Sequence, residues 1–364
     1  MPAVILLTVT RALARGEGAA VPTMDSHASM ADVARLAGVS VATVSRALHG
    51  SPLVSADTTA RVTAAADELS FAISRVASGL ASGRLGRIGL LLGGSLQSWF
   101  NGTVIDAVYA RLTPADVELT IFRIQDRAER DQFFTRLPAR RNVDAMIVAS
   151  FALTAAERSR LQTLGVPLVY LNQRVRGVAS VAIDDVAGAR DGVRGLLALG
   201  HRRIAFVRSA NRSPGFRYSA DRRVEGFRSA MAEAGVAEED QLVISVRDLD
   251  AGDEVIRTAL SEADPPTALA VDSDELAIGI LAALIRAGLR VPDDMSLLGF
   301  DDHALAGRLG LSTVAQPAAR TATEAADLAL TLAAGRTPER RTILVPTRLI
   351  LRRTTGPAAP QAAA

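Results

Sequence analysis

Residues 30–50 read MADVARLAGVSVATVSRALHG, and that stretch decides how the N-terminal part of this chain folds. Ser29 followed by Asp32 has the form of a capping box, and Val33, Ala34, Leu36 and Ala37 form an apolar face that stops at Gly38. Ser40 is placed to cap a second helix with Val44, Ala47 and Leu48 facing inward, ending near His49 and Gly50. The turn between the two is only about three residues long. After Ser51 and Pro52, a third helix capped by Ser55 is expected to bury Val62, Ala66 and Leu69. Three short helices with a tight Gly-containing turn make a small all-α helix-turn-helix headpiece.

Beyond residue 86 the hydrophobic period changes. Apolar runs of strand length recur at 88–92, 119–121, 145–149, 168–171, 204–207, 243–246, 268–271 and 296–300. Amphipathic stretches such as 192–199, 223–234 and 275–287 lie between them, so the pattern predicts βαβ units with buried parallel sheets. Eight or more such strands imply two doubly wound lobes, with a ligand site in the cleft between them at the strand C-termini.

Composition narrows the chemistry. The chain has 364 residues, 49% of them hydrophobic, and a mean hydropathy of +0.21, enough for a large domain beside a small one. All 41 basic side chains are Arg, so neither a phosphate-binding loop Lys nor a Schiff-base amine is present. Cys is absent, which removes thiolate nucleophiles, disulfides and thiolate metal sites. His27, His49, His201 and His303 are too scattered for a local ligand cluster. The formal charge is only +2 although the pI is about 9.6, because Arg stays protonated to very high pH. Val4 to Val9 is apolar but too short to span a bilayer and has no basic residues before it. Residues 1–28 are read as a disordered extension, with Met24 as an alternative start.

The quoted stretch closely resembles the headpiece of LacI/GalR-type transcription regulators. The resemblance runs on through Val54-Ser55, residues 64–69 and the hinge-like 76–80, and then through Asp184 to Gly188, Leu199 to Phe206, Arg223 to Phe227, Val291 to Asp294, Gly299 to Asp302 and Leu349 to Arg353. It implies a headpiece over 29–73, a hinge helix or linker over 74–85, and a two-lobed, periplasmic-binding-protein-like effector and dimerisation domain over 86–355. Residues 356–364 are read as a disordered tail.

In this family the residues following the cap of the recognition helix read bases in the major groove. That role falls here to Val41 and Ala42, which offer only apolar contact to thymine methyls. Arg46, one turn on, is the candidate guanine reader, the alternatives being phosphate or a pair with Asp32. Ser40, Thr43, Ser45 and Ser55 are candidate phosphate donors as well as caps. By position Leu80 is the minor-groove wedge, although Ile73 stands where the family usually has Pro and Gly79 lowers helix propensity. From His27 to Arg87 the excess of Arg over carboxylates is small, which predicts a shallow salt dependence.

For the effector, the resemblance implies Arg223 as a clamp and Asp301 as a hydroxyl acceptor, with Trp99 and Phe100 stacking on a sugar face or planar ring. Asn172, Ser273 and Gln316 are secondary candidates; Asn172 and Ser273 replace the more frequent Asp and Asn. The implied protein is a cytoplasmic, non-enzymatic homodimer, read as a repressor. It binds a pseudo-palindromic double-stranded operator under control of a sugar-like effector, without metal, cofactor or membrane. The competing reading is a secreted sugar-binding protein of the same two-lobed fold, against which the headpiece argues.

Overall fold

The computed structural model describes residues 28–48, 51, 53–71, 84–140, 142–210, 218–248 and 250–358. Residues 1–27 of the expected extension, most of the expected hinge with Leu80, and residues 359–364 of the expected tail lie outside these. The chain divides into two compact units, Met1–Ser78 and Gly79–Ala364.

In the first unit, α1 (Met30–Ala37), α2 (Val41–Leu48) and α3 (Ala56–Glu68) enclose a core of Val33, Ala34, Ala37, Val44, Ala47, Val62, Ala65 and Ala66. The Ser29 side chain accepts from the Asp32 N–H while Asp32 accepts from the Ser29 N–H, so the capping box forms in both directions. Gly38 ends α1 at φ 67°, a left-handed position where a Cβ is costly. Leu36 departs from expectation. It is 46% exposed because three small helices need only the Val33–Ala34–Ala37 stripe to close their core. Leu69 packs at the core edge and Ala65 takes the deeper place.

In the second unit the chain runs through β1 (Arg87–Gly93), α4 (Trp99–Leu112), β2 (Glu118–Ile124), α5 (Arg127–Arg136), β3 (Ala145–Ala149), α6 (Ala155–Gln162), β4 (Leu168–Leu171) and β5 (Ala179–Ala182). It then crosses to a second lobe made of α7 (Asp185–Ala198), β6 (Ile204–Ser209), α8 (Arg223–Glu233), β7 (Val243–Val246), α9 (Gly252–Leu260), β8 (Ala268–Val271), α10 (Asp274–Arg286), β9 (Ser296–Asp301), α11 (Ala306–Leu309) and β10 (Ser312–Ala315). It returns as α12 (Ala318–Ala333) and β11 (Thr342–Leu344), and ends on β12 (Arg348–Ile350).

The two sheets have six strands each, in the orders β11-β5-β4-β3-β1-β2 and β12-β10-β9-β8-β6-β7. Every pairing is parallel except β10 with β12. Strand order therefore reverses between β1 and β3 in one lobe and between β6 and β8 in the other, which opens a crevice at the carboxyl ends of those strands. Both sheets are covered on both faces, the first by α4 and α12 against α5 and α6, the second by α7 and α8 against α9 and α10.

Helix α7 carries Gly188, Gly192 and Gly195, each about 1 kcal/mol worse than Ala in an exposed helix. A Cβ at these positions would meet Thr347 and Phe300, Val314, and Leu349 at 2.9, 3.2, 2.7 and 2.5 Å, so the glycine stripe lets α7 sit down on its sheet.

Candidate effector cleft and DNA-reading helix

The crevice contains a cavity of about 310 Å³ lined by both lobes. It draws Gly93 to Ser95 from the end of β1, Ser150 from the end of β3, Ser209 from the end of β6, Ser273 after β8 and Asp301 from the end of β9. Lining residues at strand ends are what the switch-point topology delivers. Phe100, Asn172, Arg223, Ser273, Asp301 and Gln316 all line it.

Trp99 does not line the cavity. Its ring lies 5.8 Å from that of His303, beside a shallower recess with Pro317 and Pro346. The expectation of a stacking Trp inside the cleft came from its nearness in sequence to β1. Because α4 starts at Trp99, Phe100 is turned toward the cavity and Trp99 toward its rim.

At the floor of the cleft Arg223 is 3% exposed, and its Nε donates to Asp185 Oδ1 at 2.8 Å. Its Nη1 donates to the Asp272 carbonyl at 2.5 Å and to Asp301 Oδ1 at 3.2 Å, while its guanidinium lies 3.5 Å from the centre of the Phe300 ring. Burial alone pulls its pKa down, but the Asp185 and Asp301 carboxylates outweigh it and hold the group above its usual value. From Asp301 the network continues sideways. Gln316 Nε2 donates to Asp301 Oδ1 at 2.6 Å, and Asn172 Nδ2 donates to Gln316 Oε1 at 3.3 Å. An amide at 172 suits this chain of donors, because a carboxylate there would face the Gln316 carbonyl oxygen with no proton to give.

Three buried polar atoms at this cavity, Ser150 Oγ, Asn172 Oδ1 and Ser273 Oγ, have no hydrogen-bond partner among the described residues. Each such atom costs about 1–3 kcal/mol unless something bonds to it, and their convergence marks where ligand hydroxyls fit. Backbone strain gathers in the same place. Ser150, Asn172 and Asp301 have φ of 68°, 56° and 123°, conformations that cost about 1–3 kcal/mol each and re-aim the side chain after a strand. Behind Ser150, Arg130 holds the chain by donating to the Ala152 carbonyl at 2.9 Å and by ion pairing with Glu157.

Sequence reading missed several residues of this site. Asp185 was seen only as a landmark, although its pairing with Arg223 makes it part of the clamp. Asn101 donates to the Gly93 and Ser95 carbonyls at 3.0 and 2.8 Å and so shapes the loop after β1. Ser150, Ser209, Tyr218 and Glu275 also line the cavity. A usable signal existed for Ser150, one residue past β3, and for Ser209, the last residue of β6; Tyr218 and Glu275 lie farther from any strand end and had none.

In the first unit, Ser40 Oγ accepts the Thr43 N–H at 3.1 Å and Ser55 Oγ accepts the Thr58 N–H at 3.3 Å, so both serines act as caps. Val41, Ala42 and Arg46 are exposed on α2, with Ala42 and Arg46 one turn apart on one face, while Thr43 and Ser45 are half-buried. Asp32 is taken by Ser29 and Arg35, which leaves Arg46 facing outward instead of pairing with it.

Residues 29–74 match the family model of bacterial regulatory proteins, lacI family, and residues 193–355 match that of the periplasmic binding protein-like domain. The HTH-type transcriptional regulator GalR of Escherichia coli (strain K12) is 32% identical over 326 residues, 88% of this chain and 94% of that protein. The crystal structure of the lac repressor dimer bound to operator and the anti-inducer ONPF is similar with a TM-score of 0.78 at 26% identity, covering 91% of this chain and 100% of that one. The transcriptional regulator CelR in complex with cellobiose is similar with a TM-score of 0.65 at 27% identity, covering 90% and 99%. The relatives are transcription regulators and not enzymes.

Proposed function

This chain belongs to the LacI/GalR family of DNA-binding transcription regulators, and from that premise we propose that it is a cytoplasmic homodimeric repressor whose grip on a pseudo-palindromic operator is set by a sugar-like molecule in the cleft. The observation that carries the effector half is the convergence of Ser150 Oγ, Asn172 Oδ1 and Ser273 Oγ, all without partners among the described residues, on one interlobe cavity. Hydroxyl groups satisfy such atoms by donating and accepting at the same centre. A neighbour solved as a cellobiose complex supports a carbohydrate as the effector class.

On the DNA side, Val41 and Ala42 touch bases through apolar surface, Arg46 supplies the long donor, and Ser40, Thr43, Ser45 and Ser55 serve phosphates. Leu80 is assigned the wedge by sequence position alone. A ligand acts on DNA affinity only by binding two lobe arrangements unequally, and the cleft is built from both lobes, so closure and occupancy are coupled.

The test is to select bound fragments from the source genome with the full-length protein and then challenge the complex with sugars. Enrichment of a two-fold symmetric sequence, and a sugar that changes its affinity, are expected. Selection without any enriched symmetric element overturns the reading.

A further inference from the structure

A second recess of about 920 Å³ adjoins the effector cavity and shares Asn172, Tyr218 and Ser219 with it. Its walls carry Arg174 from the loop after β4, Arg190 from α7, Arg208 from β6 and Arg222 before α8. Carboxylates are present too: two are paired with arginines, and two accept backbone N–H groups and keep their charge. Asp184 caps the Ala187 N–H, Asp185 binds Arg223, Asp221 accepts the Tyr218 N–H, and Glu225 pairs with Arg222 at 3.0 Å.

Among the described residues Arg174 and Arg208 have no carboxylate partner, and Arg190 has only a distant one. Arg208 is half-buried. Arg190 Nε is buried with no hydrogen-bond partner among the described residues, and its ion pair with Asp191 Oδ1 is long, at 4.0 Å. Three guanidinium groups without a hydrogen bond among the described residues thus line one recess, and their donors are available to an anion. The first turn of α7, at Val186 and Ala187, lines the same recess, with the Ala187 N–H taken by the Asp184 cap.

We propose that this recess is an oxyanion site, and that the effector carries a phosphoryl or carboxylate group which Arg174, Arg190 and Arg208 hold there while its hydroxyls occupy the interlobe cavity. The proposal rests on the effector-cleft reading above and names the ligand's charge class. Planar Arg forks suit either group, since both present paired oxygens.

Inorganic phosphate is the first probe, added to the full-length protein against sodium chloride of matched ionic strength while thermal unfolding is followed. Phosphate is expected to raise the melting temperature of the parent protein and of Arg176→Gln, an exposed neighbour in the same loop that does not line the recess. Arg174→Gln and Arg208→Gln are expected to abolish the shift. No phosphate-specific shift in the parent, or an undiminished shift in both variants, overturns the site.

The second arm separates a tethered anion from a free one by titrating glucose, glucose 6-phosphate and glucuronate, with and without phosphate. An effector anion is expected to bind more tightly than its neutral parent, to compete with phosphate, and to lose at least about tenfold in affinity in Arg208→Gln. Neutral glucose binding as tightly as both anions, with phosphate additive, overturns the effector assignment. Neither arm contains DNA, so failure of operator selection and failure of the anion site are read separately.

Discussion

The backbone N–H of Trp99, the first residue of α4 in one lobe, donates at 3.0 Å to Oε1 of Glu275 in the first turn of α10 in the other. A carboxylate at a helix N-terminus is favourable by about 0.3–1 kcal/mol, and here it is supplied across the cleft. A second link joins the lobes where the Ser219 N–H donates to the Ser150 carbonyl at 3.2 Å. The lobes thus touch through the same strand and helix ends that line the cavity, and changing these contacts changes the cleft.

Replacing Glu275 by Ala removes that acceptor without altering either lobe's core. The Trp99 amide is then expected to exchange with solvent faster than in the parent protein, read by hydrogen-exchange mass spectrometry on the peptide spanning the start of α4. Unchanged exchange there sinks the interlobe role.

Arg223→Ala leaves the buried Asp185 and Asp301 carboxylates uncompensated, which should destabilise the second unit by about 3–5 kcal/mol in chemical denaturation. Arg223→Lys should recover only part of this, because an ammonium cannot bridge Asp185, Asp301 and the Asp272 carbonyl while lying flat on Phe300. Full rescue by Lys would show that charge alone matters.

Gly226 of α8 crosses α7 so closely that a Cβ would stand 2.2 Å from the Val186 carbonyl oxygen and 2.8 Å from the Arg190 backbone nitrogen. Backbone cannot rotate away, so Gly226→Ala should cost about 1–3 kcal/mol despite the better helix propensity of Ala. Equilibrium unfolding of the variant checks the sign.

Asp274 is fully buried, and burial followed by the Asp301 charge pushes its pKa up to about 8, against hydrogen bonds from the His303 N–H and the Thr313 hydroxyl. The unfolded carboxyl releases its proton near 3.8. Between these values the folded chain binds the extra proton, so this group's contribution is fully present below about pH 4 and is lost as pH rises through about 8. Asp274→Asn, which stays neutral, should lose less stability than the parent on going from pH 5 to 9. Parallel melting curves for the two proteins would contradict the assignment.

Arg46→Ala should cost about 1–3 kcal/mol in operator affinity and relax discrimination at one base position. An equal loss on every sequence would identify a phosphate contact instead. With Arg35, Arg46 and Arg61 from each of two headpieces, the salt dependence of log affinity should have a slope of roughly −5. A slope near −10 would mean that other basic residues reach the DNA.

The headpiece was legible because its signals are local. Ser29, Asp32, Gly38, Ser40 and Ser55 act within one helical turn of where they stand in the chain, and the structure places each cap there. The four short strands β5, β10, β11 and β12 carry no such signal and went unread. They have only three or four residues each, and in Thr342–Leu344 and Arg348–Ile350 the edge position leaves side chains exposed and breaks the apolar run.

The clamp was half legible. Arg223 and Asp301 stood out by motif, but Asp185 lies 38 residues before Arg223, and Gln316 reaches Asp301 only because β9 and β10 are neighbours. Trp99 and Phe100 show the limit most clearly. Adjacent residues on a helix point about 100° apart, so which one faced the cleft depended on where α4 begins against the opposite lobe.

By itself the sequence determined the class of each part: a capped three-helix headpiece, parallel sheets wound on both faces, and a chemistry without Lys or Cys that left recognition to Arg, hydroxyls and amides. Only the tertiary structure decided which of those groups meet. The clamp on Arg223, the atoms at Ser150, Asn172 and Ser273 that lack partners among the described residues, and the cluster of arginines beside them arise where strand ends far apart in sequence converge at two switch points. Burial and charge balance are properties of that convergence, not of any segment that enters it.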